Sequence, residues 1–368
     1  MRKVLFWSDS LPPQVGGVEV LAAKFLAAMS ARGWQFSAIT RGENSQIEHD
    51  FLGETPVLRV PLRHALETRS PLLLLQIKRA IHELRAQFAP DVLHVYHLGL
   101  GAVLLDSLRD LPRLLTLHEH VAPEILHPNG ALSALLRNTD FVSACSQSVL
   151  DDFQAQCPQW AGDSRSRAIL NALDWPTISP APLPFSPPHI VCLGRIVREK
   201  GFDCALEAFA QLQKQWPDAR FSLAGDGPEL PALKRLAQNL QIAEKTQFCG
   251  WIAPENVPQF LNRTVLVVPS RWREPFGLVA LQGAQMARPV VATNVGGLPE
   301  IVQNGITGTL ISPENPAELA RALLELLQNP ARAQQMGEAA RREAQTRFRW
   351  EVHLDDYEQL LAALAARR

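Results

Sequence analysis

Two α/β domains, each a parallel sheet covered by helices, are predicted by three observations. The chain has 368 residues, more than one ordinary core accommodates and enough for two domains that each bury an interior. Short apolar runs alternate with longer helical patterns, the rhythm of sheets buried on both faces. The segment Pro176 to Pro188 carries six prolines in thirteen residues, which breaks the pattern with extended, semi-rigid backbone and marks the boundary.

The strands of the first domain are expected at Val4 to Trp7, Gln35 to Thr40, Val92 to Tyr96, Leu114 to Leu117 and Phe141 to Cys145, with helices at Val18 to Arg32 and Leu72 to Phe88. A second set of strands is expected at Ile190 to Leu193, Arg220 to Ala224, Thr246 to Cys249, Val265 to Val268 and Val290 to Thr293. Its helices are expected at Asp203 to Gln215, Glu229 to Leu240, Leu278 to Ala287 and Pro316 to Leu327. Trp350 to Ala366 is helical, and its stripe of Val352, Leu354, Tyr357, Leu360, Leu361 and Leu364 suits packing on either domain.

Composition narrows the function classes. Thirty-six Lys and Arg against 37 Asp and Glu leave no global field to draw the chain to nucleic acid, so an anion site has to be built locally. Five scattered cysteines form no Cys-x-x-Cys pair and read as buried hydrophobes in a reducing compartment. The N-terminal apolar run stops at Ser8, and no stretch approaches the roughly 20 apolar residues of a membrane span. A cytoplasmic protein is expected. The segment Leu72 to Arg79, with Arg63, Arg69 and Arg85 nearby, fits either a helix packed on its sheet or peripheral contact with the inner face of a membrane. Failure to sediment with anionic vesicles at low salt would count against the second.

The residues that carry chemistry lie mainly in the second half. Gly194-Arg195-Ile196-Val197-Arg198-Glu199-Lys200-Gly201 follows a predicted strand and sets two cations in a glycine-bounded loop, at the sheet edge where open α/β folds bind ligands. Arg195 offers a fork and Lys200 a point charge, a pair suited to a diphosphate. A second strand runs into Pro269-Ser270-Arg271-Trp272-Arg273-Glu274-Pro275-Phe276-Gly277. Pro275 suits a first helical turn, and Gly277 leaves room for a ligand against the backbone. The amides of Phe276, Gly277 and Leu278 are then free for an anion at the helix N-terminus. Glu274 either accepts hydrogen bonds from sugar hydroxyls or neutralises Arg271 or Arg273.

Together with Gly16-Gly17-Val18-Glu19, Gly225-Asp226-Gly227-Pro228-Glu229 and Gly296-Gly297-Leu298-Pro299-Glu300, these motifs resemble the retaining glycosyltransferases of family four, which have the GT-B fold of two facing Rossmann-like domains. The resemblance runs through nearly the whole chain. It implies an acceptor-side domain over residues 1–178, completed by a C-terminal helix in 350–368 that crosses back to it. A nucleotide-sugar-binding domain follows over 186–349. It implies that Arg195 and Lys200 neutralise the departing diphosphate, that Glu274 holds the transferred sugar, and that backbone near Trp251 and Ile252 touches the base. It further implies that the Gly16-Gly17 loop lies under the donor phosphates and beside the acceptor, and that His118 faces the transferred sugar. The family's second glutamate, eight positions after the first, binds the ribose hydroxyls. This chain has Gln282 there. An amide carbonyl accepts each bond with roughly half the strength of a carboxylate.

The resemblance implies no cofactor. The donor is a nucleoside diphosphate-sugar, its UDP, GDP or ADP form undetermined, and the acceptor is a hydroxyl-bearing molecule. Retention of configuration comes with the family, in which the leaving phosphate assists the incoming hydroxyl. No Asp-x-Asp occurs in the sequence to hold a divalent ion on the diphosphate, so transfer is expected to be metal-independent. His118-Glu119-His120 lacks the helical spacing and the third ligand of a zinc site. His94 and His97 read as packed or surface residues, and Glu19 either binds acceptor or caps its helix. A dehydrogenase is disfavoured because Pro12 to Gly17 supplies no Gly-x-Gly-x-x-Gly. A nucleotide-sugar epimerase and a non-catalytic nucleotide-sugar-binding subunit remain as alternatives. The segments Arg41 to Pro61 and Val121 to Leu132 are expected to be variable loops that select the acceptor.

Overall fold

The computed structural model describes every residue except 1, 15, 100, 102–103, 106–107, 124–125, 127–129 and 368. It divides into two compact units, Met1–Leu170 with Glu351–Arg368, and Asn171–Trp350. The proline-rich segment 176–188 lies within the second.

In the first unit the chain forms β1 (Lys3–Ser8), α1 (Gly17–Ala31), β2 (Gln35–Arg41), β3 (Glu48–Leu52), β4 (Thr55–Val60), α2 (Leu62–Glu67) and α3 (Pro71–Phe88). It continues through β5 (Val92–His97), β6 (Arg113–Leu117), α4 (Ala131–Arg137), β7 (Phe141–Ala144), α5 (Gln147–Gln156) and β8 (Ser166–Ala168). The sheet order is β3-β4-β2-β1-β5-β6-β7-β8, parallel except for β3. Val4, Leu5 and Phe6 are wholly buried, as expected of a central strand with helices on both faces. One expectation fails here. Residues 41–61 are not a loop: β2 continues to Arg41, and β3 and β4 then form an antiparallel hairpin that extends the sheet beside β2. The polar run of β3 hid it, because an exposed edge strand needs no apolar face. The other proposed selector, 121–132, includes five residues outside the described set.

α3 buries only Ile77 and Ile81 and leaves Leu72 and Leu75 66% and 64% exposed. Its N-terminus is capped by Ser70, whose hydroxyl accepts from the Leu73 amide.

The second unit contains β9 (His189–Leu193), α6 (Phe202–Gln213), β10 (Arg220–Ala224), α7 (Leu230–Asn239), β11 (Thr246–Gly250), α8 (Val257–Leu261) and β12 (Val265–Val268). It ends with α9 (Leu278–Gln285), β13 (Val290–Thr293), α10 (Leu298–Ile301), β14 (Gly308–Ile311), α11 (Pro316–Gln328) and α12 (Pro330–Arg347). Its parallel sheet runs β11-β10-β9-β12-β13-β14.

The last helix, α13 (Trp350–Ala365), belongs from Glu351 onward to the first unit. It buries His353, Leu354, Tyr357, Leu360, Leu361 and Leu364, each full leucine burial contributing about 1.5–3 kcal/mol before entropy is counted. Val352, assigned to the stripe from sequence, is 43% exposed, and His353 takes the inward place. The Tyr357 ring meets Phe25 edge-on at 5.3 Å, and its hydroxyl lies 3.3 Å from Ser143 Oγ.

Candidate active site

In the second sheet β9 and β12 are neighbours, and the connection after β9 runs to β10 on one side whereas that after β12 runs to β13 on the other. Such a switch point opens a crevice at the carboxyl ends of the two strands. The two segments singled out from sequence meet there, one following β9 and the other β12. β9 and β12 pair through Val265 with Ile190 and Leu266 with Val191.

Glu274 sits at the centre of these contacts. Lys200 Nζ donates to its Oε1 at 2.9 Å and its Oε2 at 2.7 Å, and Ser270 Oγ donates to Oε2 at 2.8 Å. The Lys200 and Glu274 side chains are 26% and 14% exposed. The alternative that Glu274 neutralises Arg271 does not hold, because that guanidinium is engaged elsewhere. Arg271 donates to both oxygens of Asp203 at 2.7 and 2.6 Å and to Glu314 at 2.9 Å. The Asp203 bonds, outweighing partial burial, raise its pKa above the usual arginine range. Arg195 differs from both cations: it is exposed and has no ion pair among the described residues. Lys200 is thus neutralised in the free protein, whereas Arg195 keeps its charge available.

The N-terminus of α9 provides donors without charge. Leu278 opens the helix, no side chain caps it, and the amides of Phe276, Gly277 and Leu278 have no acceptor among the described residues. One expectation is corrected here. Pro275 precedes the helix and does not form its first turn. Gly277 is required by the fold itself: it adopts φ +103°, and a Cβ there would lie 2.7 Å from Leu298 Cδ2. Behind the Glu274 turn, Gly296 at φ +56° lets two segments touch, since its Cβ would sit 2.2 Å from the Glu274 carbonyl oxygen. That carbonyl accepts from the Gly297 amide at 2.7 Å.

Trp251, 55% exposed, and half-buried Ile252 follow β11 at the same sheet edge. Gln282 is half-buried on the second turn of α9, and its side-chain amide has no hydrogen-bond partner among the described residues.

In the first unit Gly16 is the N-cap of α1 and Gly17 its first residue, while Val15 of the same loop lies outside the described residues. Glu19 does not cap the helix. It accepts from Ser10 Oγ at 2.5 Å, and that hydroxyl lies 3.5 Å from His97 Nδ1. This Ser10, Glu19 and His97 group, at the carboxyl ends of β1 and β5, was not read from sequence. The turn residues Ser8-Asp9-Ser10 after a strand were its available signal.

His118 is 5% exposed and packs against Tyr96 at 4.5 Å between ring centroids, the rings tilted by 48°. Neither ring nitrogen has a hydrogen-bond partner among the described residues. Burial first, then the neighbouring His97, His353 and His94, hold its pKa well below the ordinary histidine value, so the ring is neutral. His94 is a core residue bonded to Thr116 at 2.9 Å, and burial lowers its pKa to about 3. His120 Nδ1 lies 3.2 Å from Asp152. Among the described residues no group of three or more His, Cys, Asp or Glu side chains is placed to hold a metal ion.

Comparison with known proteins now decides the family. Residues 178–343 match the model described as glycosyl transferases group 1, and residues 15–174 match glycosyltransferase family 4. The chain belongs to the family-four glycosyltransferases. It is 32% identical over 278 residues to a glycogen synthase of Mycobacterium tuberculosis, covering 72% of this chain and 66% of that one. It is 35% identical over 170 residues to a GDP-mannose-dependent phosphatidylinositol monomannoside mannosyltransferase of Mycolicibacterium smegmatis, covering 44% of each. The chain therefore spans about two thirds of the first relative and under half of the second. Among solved structures, sucrose-phosphate synthase from Thermosynechococcus elongatus matches with a TM-score of 0.82 and 23% identity over all of both chains. Anabaena HepE bound to UDP-glucose matches with a TM-score of 0.78 and 21% identity, covering 99% of this glycosyltransferase and 100% of that chain. These likenesses establish the GT-B class of fold for this glycosyltransferase.

Proposed function

We propose that the protein transfers a sugar from a nucleoside diphosphate-sugar to an acceptor hydroxyl, with retention of anomeric configuration and without a metal ion. The observation that carries this reading is the arrangement at the β9/β12 crevice: Arg195, the Lys200–Glu274 pair, and the amides of Phe276, Gly277 and Leu278, with Arg195 and the three amides unpaired among the described residues. Two cations and a helix N-terminus supply fixed positive potential where a diphosphate gains charge as it leaves, the task a divalent ion performs in other sites. Arg195 and Lys200 take the diphosphate, and Glu274 accepts hydrogen bonds from the sugar. The base lies against Trp251 and Ile252. The second unit thus binds the donor and the first the acceptor. In the transfer, the anomeric carbon's bond to the diphosphate oxygen breaks, its bond to the acceptor oxygen forms on the same face, and the acceptor proton passes to the leaving phosphate.

Turnover of UDP-, GDP- and ADP-sugars with a panel of hydroxyl acceptors tests the reading directly. Product is expected in the presence of EDTA and with the donor's anomeric configuration. Loss of transfer in EDTA would remove metal independence, an inverted product would remove retention, and isomerised donor without acceptor would favour the epimerase.

Gln282 accepts a ribose hydroxyl through its amide oxygen in this scheme. Gln282→Glu is expected to lower the donor KM about fivefold, the return from replacing a neutral acceptor by a charged one. An unchanged KM places ribose recognition elsewhere.

A further inference from the structure

The Lys200–Glu274 pair conflicts with the roles proposed for its two members. Lys200 Nζ contacts both Glu274 oxygens at 2.9 and 2.7 Å, although the proposed reaction needs the ammonium on the diphosphate and the carboxylate on the sugar. Donor binding must therefore exchange partners. A half-buried carboxylate released from its cation, with nothing else to hold it, would rotate about its side-chain torsions and lose the orientation that sugar recognition requires.

We propose that Ser270 is a positioning residue that holds Glu274 through this exchange. Its hydroxyl donates to Oε2 at 2.8 Å, and Ser270 itself is 2% exposed, so that bond faces little competition from solvent. Oε1 has no such second donor among the described residues, where it receives only Lys200. When the diphosphate draws Lys200 away, Oε2 stays anchored and Oε1 is released, toward the sugar. The anchor is itself fixed. Thr293, wholly buried at the end of β13, donates its hydroxyl to the Ser270 carbonyl at 2.7 Å. Two adjacent strands thereby set the position of the serine, and the serine sets the carboxylate. The proposal rests on the reading that Glu274 holds the transferred sugar.

A double-mutant cycle over Ser270→Ala and Glu274→Gln tests it, with transfer kinetics from the most active donor in the panel and nucleoside diphosphate binding as the second readout. Ser270→Ala is expected to lower kcat about tenfold while nucleoside diphosphate affinity stays within about twofold. In the Glu274→Gln background the same change is expected to alter kcat by less than about twofold, because the carboxylate it orients is gone. Additive losses would overturn the proposal, and so would affinity for the nucleoside diphosphate falling in step with kcat, since both describe a serine that merely supports the loop. Should Ser270→Ala not fold, Ser270→Cys, nearly isosteric with a weak donor, takes its place in the cycle. The two readings fail differently. If Glu274→Gln leaves kcat intact, the sugar role of Glu274 falls and the positioning role with it. If Glu274→Gln lowers kcat and neither serine variant does, only the positioning role falls.

Discussion

Glu274→Gln is expected to separate binding of the nucleotide from transfer of the sugar. Transfer should fall on the order of 10²- to 10³-fold in kcat, the scale seen when one preorganised electrostatic contact to a reacting group is removed. Nucleoside diphosphate binding should move the other way and tighten a few-fold, because Lys200 no longer has to leave a carboxylate that it contacts through both oxygens. The free variant should melt earlier, since an ammonium only 26% exposed loses its counter-charge, a cost of about 1 kcal/mol after allowance for the water it retains. Added nucleoside diphosphate should restore the melting temperature. Calorimetric binding beside steady-state kinetics decides the matter. A parallel loss of nucleotide affinity and turnover would make Glu274 part of the diphosphate site.

Arg195→Ala should behave oppositely in the free protein. The side chain is exposed and has no ion pair among the described residues, so melting in the absence of ligand should shift by no more than about 0.5 kcal/mol of stability. The donor's kcat/KM should nevertheless fall about 10²-fold or more, because a guanidinium fork on the departing diphosphate acts most strongly as charge develops there. Arg195→Lys should recover only part, since a point charge lacks the fork. An Arg195→Ala enzyme with unaltered kcat/KM would mean that Lys200 and the α9 amides suffice.

The contrast between these cations was not visible in the sequence. Lys200 and Glu274 stand 74 positions apart, and the sequence points Glu274 to the neighbouring Arg271 or Arg273 instead. The pairing of β9 with β12 brings Lys200 to it, while Asp203 and Glu314 occupy Arg271. Strands with continuous apolar runs were legible: Arg220–Ala224, Val265–Val268 and Val290–Thr293 begin and end where the pattern does. β3 was missed because its residues face solvent, and β8 because three residues show no alternation. α12 escaped for another reason. It buries Ala333, Met336, Gly337, Ala340 and Ala344, a seam of mostly small residues that lets backbones approach closely and gives little amphipathic signal. A Cβ on Gly337 would lie 2.1 Å from the Ala287 carbonyl oxygen.

The return of α13 to the first unit has a consequence for biosynthesis. The second unit is a single uninterrupted stretch of chain, whereas the first is built from two stretches separated by all of the second. A ribosome therefore releases every residue of the second unit before the first can bury Phe25 against Tyr357 or close its Ser143 and Thr116 hydroxyls on that ring's hydroxyl. During that interval Phe25 lacks the His353 and Tyr357 rings that pack against it, and this part of the core is open to chaperones and to neighbouring nascent chains. The half of the molecule that emerges first is the half that finishes folding last.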